Sequence, residues 1–366
     1  MKKEAFETEL QALNATDGSL WRKTKLLTKD FEKIPPLKVN NKWLVSPEDK
    51  VNEFSKILSE QFQTNNIEDP QTNIEVENKL NQPLQLSPLG RMFTPSEVKM
   101  VICKLSSKKA PGSDHIVQPL LKSLPRKPLV FLTQIYNAML RLSYFPSRWK
   151  IANIIMIPKP NKLHSNPLNY RPISLLPLFS KIFERLFLSK LFPYIESLLP
   201  DYQFGFRKVH SCPQQLHRIV DEILETYEKK QICLGLFLDT EKAFDKVWHQ
   251  GLLYKLKDHL PDTYYRLIQS YLTGRKYTVV YERAVSQERN INAGVPHGSV
   301  LGPLLYLIYT SDLPKSDNLT IAQFADDIAI LSRGNTNHQA TLNLQNYIQK
   351  LEQWNKNWRT SMNPNK

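Results

Sequence analysis

Two acidic clusters at the ends of apolar runs constrain the fold of this 366-residue chain more than any other feature. Asp239 follows residues 232–238, an apolar run typical of a buried strand. Asp326 and Asp327 lie between the apolar segments 321–324 and 328–331, a pattern that predicts a tight hairpin. If the fold brings these strand ends together, three carboxylates share one small space, where they repel each other unless cations lie between them. Two Mg²⁺ ions about 3.5–4 Å apart, held by carboxylate oxygens, are the arrangement that in-line phosphoryl transfer uses.

A structural role for these aspartates is the alternative. Asp commonly ends strands, because it starts turns and caps helices, so Asp239 alone leaves both interpretations open. The consecutive pair Asp326-Asp327 is different, since two adjacent carboxylates at a hairpin tip improve neither turn geometry nor burial. The pair therefore favours a metal site.

Positive charge is concentrated in one third of the chain. Residues 91–210 contain 19 Lys and Arg against 5 Asp and Glu, so they carry the whole net charge of +14. A concentrated basic region is typical of proteins that bind phosphate backbones. Basic residues that merely keep a surface soluble would be scattered more evenly, so the distribution favours nucleic acid as a partner.

The length allows two or three compact units with a substantial core. Neither an apolar N-terminal segment nor a run of membrane-spanning length is present, which predicts an intracellular protein of the nucleus or cytoplasm that does not bind membranes. Cys103, Cys212 and Cys233 lie far apart, without the spacing of a disulfide framework or a zinc site.

The pattern of helices and strands is typical of an α+β protein rather than of a regular βαβ repeat. Ser46 before Pro47 predicts the start of a helix, and Thr94 to Glu97 forms a capping box that predicts another. Residues 63–90 have the composition of a loose linker. Further helices are predicted over 129–143, 178–199, 211–229 and 249–273. Another helix is predicted to start near Ser299, and a last one carries apolar residues from Leu344 to Trp358. A strand is predicted over 276–282. In the helix over 211–229, the apolar side chains are expected to face inward: Leu216, Ile219, Val220, Ile223 and Leu224.

Several ordered motifs resemble those of reverse transcriptases. Residues 238–245 (LDTEKAFD) resemble motif A, residues 294–305 (GVPHGSVLGPLL) resemble motif B, and residues 324–327 (FADD) resemble motif C. Upstream, NYRPISL (169–175) and QFGFR (203–207) are similar to finger motifs of non-LTR, LINE-type retrotransposon enzymes. KKAPGSD (108–114) and YFPSRWK (144–150) are most similar to the jockey clade. The resemblance covers roughly residues 15–366.

The resemblance implies a right-hand polymerase with fingers and a ferredoxin-like palm sheet, and with the thumb missing. It divides the chain into a connector with a helical segment (1–90), basic fingers (91–210) and a palm truncated near motif D (211–366). It implies an RNA-directed DNA polymerase that uses Mg²⁺, with Mn²⁺ as a substitute, and that acts on an RNA template, a DNA primer and dNTPs. A catalytically idle remnant that binds nucleic acid is the alternative, because the match ends before the thumb.

The resemblance also implies roles for individual residues. Asp239, Asp326 and Asp327 are the expected catalytic and metal-binding residues. Phe244 is expected to be the steric gate against a 2′-hydroxyl, with an ordinary core position as the alternative. His297, where the family usually carries Gln, and Gly298 are expected to lie at the nucleotide.

The remaining residues belong to the fingers motifs and to the end of the match. Lys159 and Arg171 are expected to bind the triphosphate, or alternatively the template backbone. Gln203 and Arg207 are expected to be template or fingers residues, and Arg207 either to touch the template or to close the fingers. Asp245 is expected to order the turn after its strand. Lys366 corresponds to a lysine that protonates pyrophosphate, although a chain end holds a general acid poorly.

Overall fold

The computed structural model of the chain describes residues 34–88, 90–106, 110–317 and 319–363. Residues 1–33 of the predicted connector, Lys108 and Lys109 of the jockey-like motif, and Lys366 lie outside these ranges. The helices are α1 (Pro47–Gln61), α2 (Pro70–Asn81), α3 (Pro95–Cys103), α4 (Gln118–Lys122), α5 (Arg126–Leu142), α6 (Leu178–Ile195), α7 (Cys212–Glu228), α8 (His249–Leu256), α9 (Asp262–Leu272), α10 (Gly302–Tyr309) and α11 (Asn337–Asn357). The strands are β1 (Leu37–Val39), β2 (Lys42–Leu44), β3 (Ile151–Pro158), β4 (Tyr170–Leu175), β5 (Ile232–Asp239), β6 (Lys276–Tyr281), β7 (Ala284–Val285), β8 (Arg289–Asn290), β9 (Leu319–Phe324) and β10 (Asp327–Gly334).

Local capping signals determine where two of the helices begin, as predicted. The Ser46 hydroxyl accepts a hydrogen bond from the backbone N–H of Asp49 at 3.1 Å, so α1 starts at Pro47. At α3, Thr94 and Glu97 bond each other's backbone N–H groups, which completes the predicted capping box. These contacts join residues only three positions apart, which is why the sequence alone is sufficient to predict them.

A three-stranded antiparallel sheet in the order β5-β10-β9 contains both acidic clusters. β10 is central, and it pairs with β9 through the predicted hairpin and with β5 along its whole length. Helix α11 packs on this sheet, and its buried side chains Tyr347, Leu351 and Trp354 belong to the larger of two hydrophobic clusters.

The second sheet has the order β4-β3-β6-β7, with β8 paired to β6. The predicted strand over 276–282 is β6, and it runs parallel to β3 rather than joining the acidic hairpin. The sheet therefore combines strands from both sides of the predicted boundary at residue 210. Helix α1 covers it, with Phe54 packing edge-on against Tyr170 and Phe62 against Tyr277. These residues form the core of the smaller hydrophobic cluster.

Two sequence predictions are wrong. Residues 63–90 are not a loose linker throughout, because they contain α2, which begins after Asp69 caps the N–H of Thr72 and which buries Val76. The helix predicted over 249–273 is two helices, α8 and α9, separated at Pro261. Proline has no backbone N–H and restricts the residue before it, so a continuous helix cannot pass through this position without a break or kink.

The mixture of helices and sheets agrees with the predicted α+β class. None of the helices in the described ranges is long and apolar enough to cross a bilayer.

Candidate metal and nucleotide site

The fold brings the two acidic clusters together at one end of the three-stranded sheet. Asp239, the last residue of β5, lies directly opposite Asp327, the first residue of β10, in the antiparallel register. Residues paired in this way have Cα atoms about 4.5–5.5 Å apart. Asp326 is in the two-residue turn between Phe324 and Asp327, which pair with each other. Asp327 is exposed, and Asp239 and Asp326 are half-buried.

These carboxylates have the donor chemistry of a divalent-metal site. Oxygen is the ligand that Mg²⁺ and Mn²⁺ prefer, and all three side chains offer only oxygen. Within the described ranges, no group of three or more acidic, histidine or cysteine side chains is arranged so that it could hold a metal ion.

Residues 361–363 lie beside Asp239 and hold it in place. The backbone N–H of Asn363 donates to the carbonyl of Asp239 at 2.8 Å, and its side-chain amide donates to Asp239 Oδ2 at 3.2 Å. The N–H of Glu241 donates to Ser361 at 2.8 Å, and Thr240 forms an antiparallel bridge with Met362. Asn363 has no recognisable signal of its own in the sequence, and the prediction missed it.

Phe244 is held between aromatic rings beside the carboxylates. It stacks on buried Tyr306 with ring centres 4.7 Å apart and an interplanar angle of 23°. The imidazole of His297 lies 5.3 Å from it, and the ring of Phe206 meets it edge-on at 5.9 Å. Phe244 is half-buried rather than enclosed, so part of its ring is accessible from the site.

The 294–301 loop closes the site on the side of Phe244. Gly294 and Gly298 have φ angles of +94° and +108°, which glycine adopts readily. A Cβ on Gly294 would lie within 3 Å of the Asp245 backbone, and one on Gly298 would lie 2.8 Å from the carbonyl oxygen of Ser174. His297 and Gly298 are exposed at the tip of this loop. Its close packing thus depends on both glycines.

The ends of this loop are fixed by hydrogen bonds from other elements. Ser174 of β4 donates its N–H to the carbonyl of His297 at 3.0 Å, and Val295 donates its N–H to Phe244 at 2.7 Å. The buried carboxylate of Glu184 accepts the N–H groups of Val300 and Leu301 at 2.7 and 3.1 Å. Sequence reasoning missed Glu184, which looks like an ordinary helix residue until the fold brings α6 to the loop.

Lys159 and Arg171 lie at the loop end of the β3–β4 hairpin, where residues 159–169 connect the two strands. Ile157 pairs with Arg171, and the chain beyond β3 continues this pairing because the N–H of Lys159 donates to Asn169 at 2.8 Å. Side chains alternate along a strand and face the same way across a pair, so both cations share the face of Ile157. This face is exposed at Ile157 and Arg171, whereas Tyr170 and Met156 on the other face are buried.

Gln203 does not lie where a template contact requires. Its side chain is 1% exposed, and its amide bonds both peptide groups of Ala325 in the turn before Asp326. A buried amide cannot reach a bound strand, so of the two predicted roles, template contact and fingers residue, the first does not fit Gln203. Arg207 is half-buried, with its guanidinium bonded to the carbonyl of Pro200 at 2.8 Å and that of Gln203 at 3.3 Å.

Asp245 bonds to α1 and to its own turn. Gln61 of α1 donates to its Oδ2 at 2.6 Å, and its own N–H bonds the carbonyl of Lys242 within the turn after β5. Burial raises the pKa of Asp245 above its ordinary value. These contacts fit the expectation that Asp245 orders the turn.

The apolar face of α7 is exposed, contrary to the prediction. Leu216, Val220, Ile223 and Leu224 are 43–55% exposed, Ile219 is half-buried, and the polar Gln215 faces inward instead. Phe237 on β5 is 71% exposed beside them, and a cleft of about 390 Å³ between this part of α7 and the strands extends to Asp239 and Asp327. Periodicity identifies the apolar face of a helix, but it does not show whether another element covers that face.

The sequence of the chain is similar to a known protein family and to several curated proteins. Residues 157–366 match the model of the family described as reverse transcriptase (RNA-dependent DNA polymerase). The chain is 41% identical to the probable RNA-directed DNA polymerase from transposon X-element of Drosophila melanogaster, over 95% of this chain and 39% of that protein. It is 39% identical to the RNA-directed DNA polymerase from mobile element jockey of the same fly, over 99% of this chain and 41% of that protein. The probable enzyme from transposon BS is 37% identical, over 100% of this chain and 42% of that protein. The chain thus spans about two fifths of the length of these curated relatives.

Proposed function

Since the chain belongs to the reverse transcriptase (RNA-dependent DNA polymerase) family, we propose that it extends a DNA primer on an RNA template. The observation that carries this proposal is the register that sets Asp239 opposite Asp327, with Asp326 in the adjoining turn. This arrangement supports the proposal, because nucleotidyl transfer uses metal ions held by carboxylate oxygens.

In this proposal Asp239, Asp326 and Asp327 hold two Mg²⁺ ions, and Mn²⁺ can replace them. The bound ions supply activation of the primer 3′-hydroxyl and neutralisation of charge on the triphosphate. Asn363 keeps the carboxylate of Asp239 in one orientation, because its side-chain amide donates a hydrogen bond to Oδ2. Rigid support of this kind matters for ligands that must hold ions at fixed positions.

The nucleotide lies between the three carboxylates and the β3–β4 hairpin. Lys159 and Arg171 bind its phosphates, which pair strongly with ammonium and guanidinium groups. β4 is joined to the 294–301 loop through Ser174 and His297, so this hairpin and Phe244 border one space.

Phe244 selects the sugar, and the tip of the 294–301 loop lies against the nucleotide. The ring of Phe244 is supported from beneath by Tyr306, so it resists displacement by a 2′-hydroxyl. His297 and Gly298 lie at the exposed tip, where an imidazole can hydrogen-bond and a glycine permits close approach. Arg207 contacts the template.

We further assign the two sheets to the parts of a right-hand polymerase. The β5-β10-β9 sheet is the ferredoxin-like palm, and the sheet of β3 and β4 forms the fingers, with residues 1–90 as the connector. The basic residues of 91–210 bind the phosphates of template and primer. The palm occupies most of 211–366, although β6 joins the fingers sheet.

Primer extension on poly(rA)/oligo(dT) with Mg²⁺ tests the proposal. Wild type is expected to extend the primer, and Asp326→Ala is expected to abolish extension. Asp221→Ala removes an exposed carboxylate of α7 and serves as the control, with activity near wild type. Salt-sensitive RNA binding without extension by wild type would contradict a polymerase and support the idle, nucleic-acid-binding alternative.

A further inference from the structure

The turn that carries Asp326 has an unfavourable backbone conformation. Ala325 has a φ of +59°, in the left-handed region where a Cβ crowds the following carbonyl. Glycine or asparagine would adopt this conformation more readily, so hydrogen bonds from other side chains must maintain it. Gln323 in the same hairpin supplies one, because its Nε2 donates to the carbonyl of Ala325 at 3.2 Å. The orientation of the Asp326 side chain depends on the conformation of Ala325.

One buried side chain bonds both peptide groups of Ala325. Gln203 Oε1 accepts the N–H of Ala325 at 3.0 Å, and Gln203 Nε2 donates to its carbonyl at 3.3 Å. Oε1 also accepts the N–H of Gly205 at 2.7 Å, which orients the amide of Gln203. With an exposure of 1%, this side chain is shielded from bulk solvent.

The backbone around Gln203 is fixed to the same hairpin. Phe204 donates its N–H to Gln323 of β9, and Gln323 donates its own to Tyr202, both at 2.9 Å. Gly205 packs against the turn so closely that a Cβ there would lie 2.2 Å from the nitrogen of Ala325. Glutamine followed by glycine two positions later is therefore what this contact requires.

We propose that Gln203 is a positioning residue that holds the catalytic turn in its left-handed conformation and thereby orients Asp326 toward the metal ions. It acts through Ala325 and touches neither nucleotide nor template. This inference rests on the proposed function, because it gives Asp326 the role of a metal ligand.

Gln215 provides a matched control. It is also a buried glutamine, 4% exposed, and it bonds the carbonyls of Tyr202 and Gln323 at 2.8 and 3.0 Å. It belongs to the same network but makes no hydrogen bond to the turn. Gln203→Met and Gln215→Met each replace a buried amide with an apolar side chain of similar size. Only Gln203→Met removes the hydrogen bonds to Ala325.

Two measurements test the proposal. The first is a titration of the full chain with Mn²⁺, in which the EPR signal reports the concentration of free ion. The second is primer extension at a series of Mg²⁺ concentrations. Gln203→Met is expected to weaken Mn²⁺ binding and to raise the Mg²⁺ midpoint about tenfold, the effect typical of losing a residue that orients a metal ligand. Gln215→Met is expected to leave both values within about twofold of wild type, and the dissociation constant for primer–template should change in neither variant.

Equal shifts in the two variants, or no shift in Gln203→Met, would overturn the positioning role. Should Gln203→Met fail to fold, Gln203→Asn decides, because its shorter amide remains polar but cannot reach Ala325. A folded Gln203→Asn with wild-type Mn²⁺ affinity would overturn the inference. If wild type binds Mn²⁺ but never extends a primer, the proposed polymerase fails, and the Mn²⁺ titration still decides whether Gln203 orients Asp326.

Discussion

Replacing Lys255 with methionine should change how the stability of this protein depends on pH. Lys255 lies on α8 with its side chain 8% exposed, and its ammonium bonds the carbonyl of Tyr309 and Oδ1 of Asp312. The ring of Trp358 lies 3.8 Å away. Burial lowers the pKa of Lys255 to about 8 despite the opposing effect of Asp312.

The sign of the effect follows from proton binding. Above pH 8 the folded protein releases the Lys255 proton, whereas the unfolded chain keeps it up to the ordinary value of 10.5. The unfolded state then binds more protons, so the free energy of unfolding rises with pH. The full difference of about 2.5 pKa units corresponds to a rise of about 3 kcal/mol in the free energy of unfolding. Roughly 1.3 kcal/mol of this rise occurs between pH 7 and pH 9.

Urea denaturation followed by circular dichroism at pH 7, 8 and 9 measures this dependence. The stability of wild type is expected to rise by about 1.3 kcal/mol relative to Lys255→Met over this range. Buried tyrosines such as Tyr309, whose pKa burial raises, affect stability only near and above pH 10. Lys350→Met, at an exposed position on α11, should follow the wild-type curve. Parallel curves for wild type and Lys255→Met would refute the reasoning.

Three further predictions concern the proposed active site. Phe244→Val should raise ribonucleotide incorporation roughly tenfold relative to deoxyribonucleotide, because it removes the ring that blocks a 2′-hydroxyl; single-nucleotide extension measures this, and an unchanged ratio would favour a core role. Arg171→Ala should raise the KM for dNTP about tenfold through the loss of a charged hydrogen bond, with little change in primer–template affinity; an unchanged KM in steady-state assays would count against triphosphate binding. Asn363→Ala should raise the Mg²⁺ midpoint about tenfold because Asp239 loses its supporting amide. Ser361→Ala, in the same segment, should have no such effect, and equal midpoints in the two variants would contradict that role for Asn363.

Features that depend on neighbouring residues were predictable from the sequence. The caps at Ser46 and Thr94, the hairpin around Asp326-Asp327 and the strand before Asp239 all have the predicted type and position. The start of α2 had the same kind of signal in Asp69-Pro70, but the polar composition around it hid the helix. Strands β3 and β4, which contain Pro158 and Pro172, were not predicted. These prolines are compatible with β3 and β4 because they lie at a strand end or along the outer edge of the sheet.

The chemical groups, their order along the chain and the local structure of the segments that carry them follow from the order of the amino acids. The tertiary structure brings particular groups together: Asp239 opposite Asp327, Gln203 against Ala325, and Asn363 beside Asp239. It also left the apolar face of α7 exposed, where the sequence predicted a buried one. Local patterns reflect interactions within a few residues, whereas these pairings depend on how buried faces from distant parts of the chain pack together.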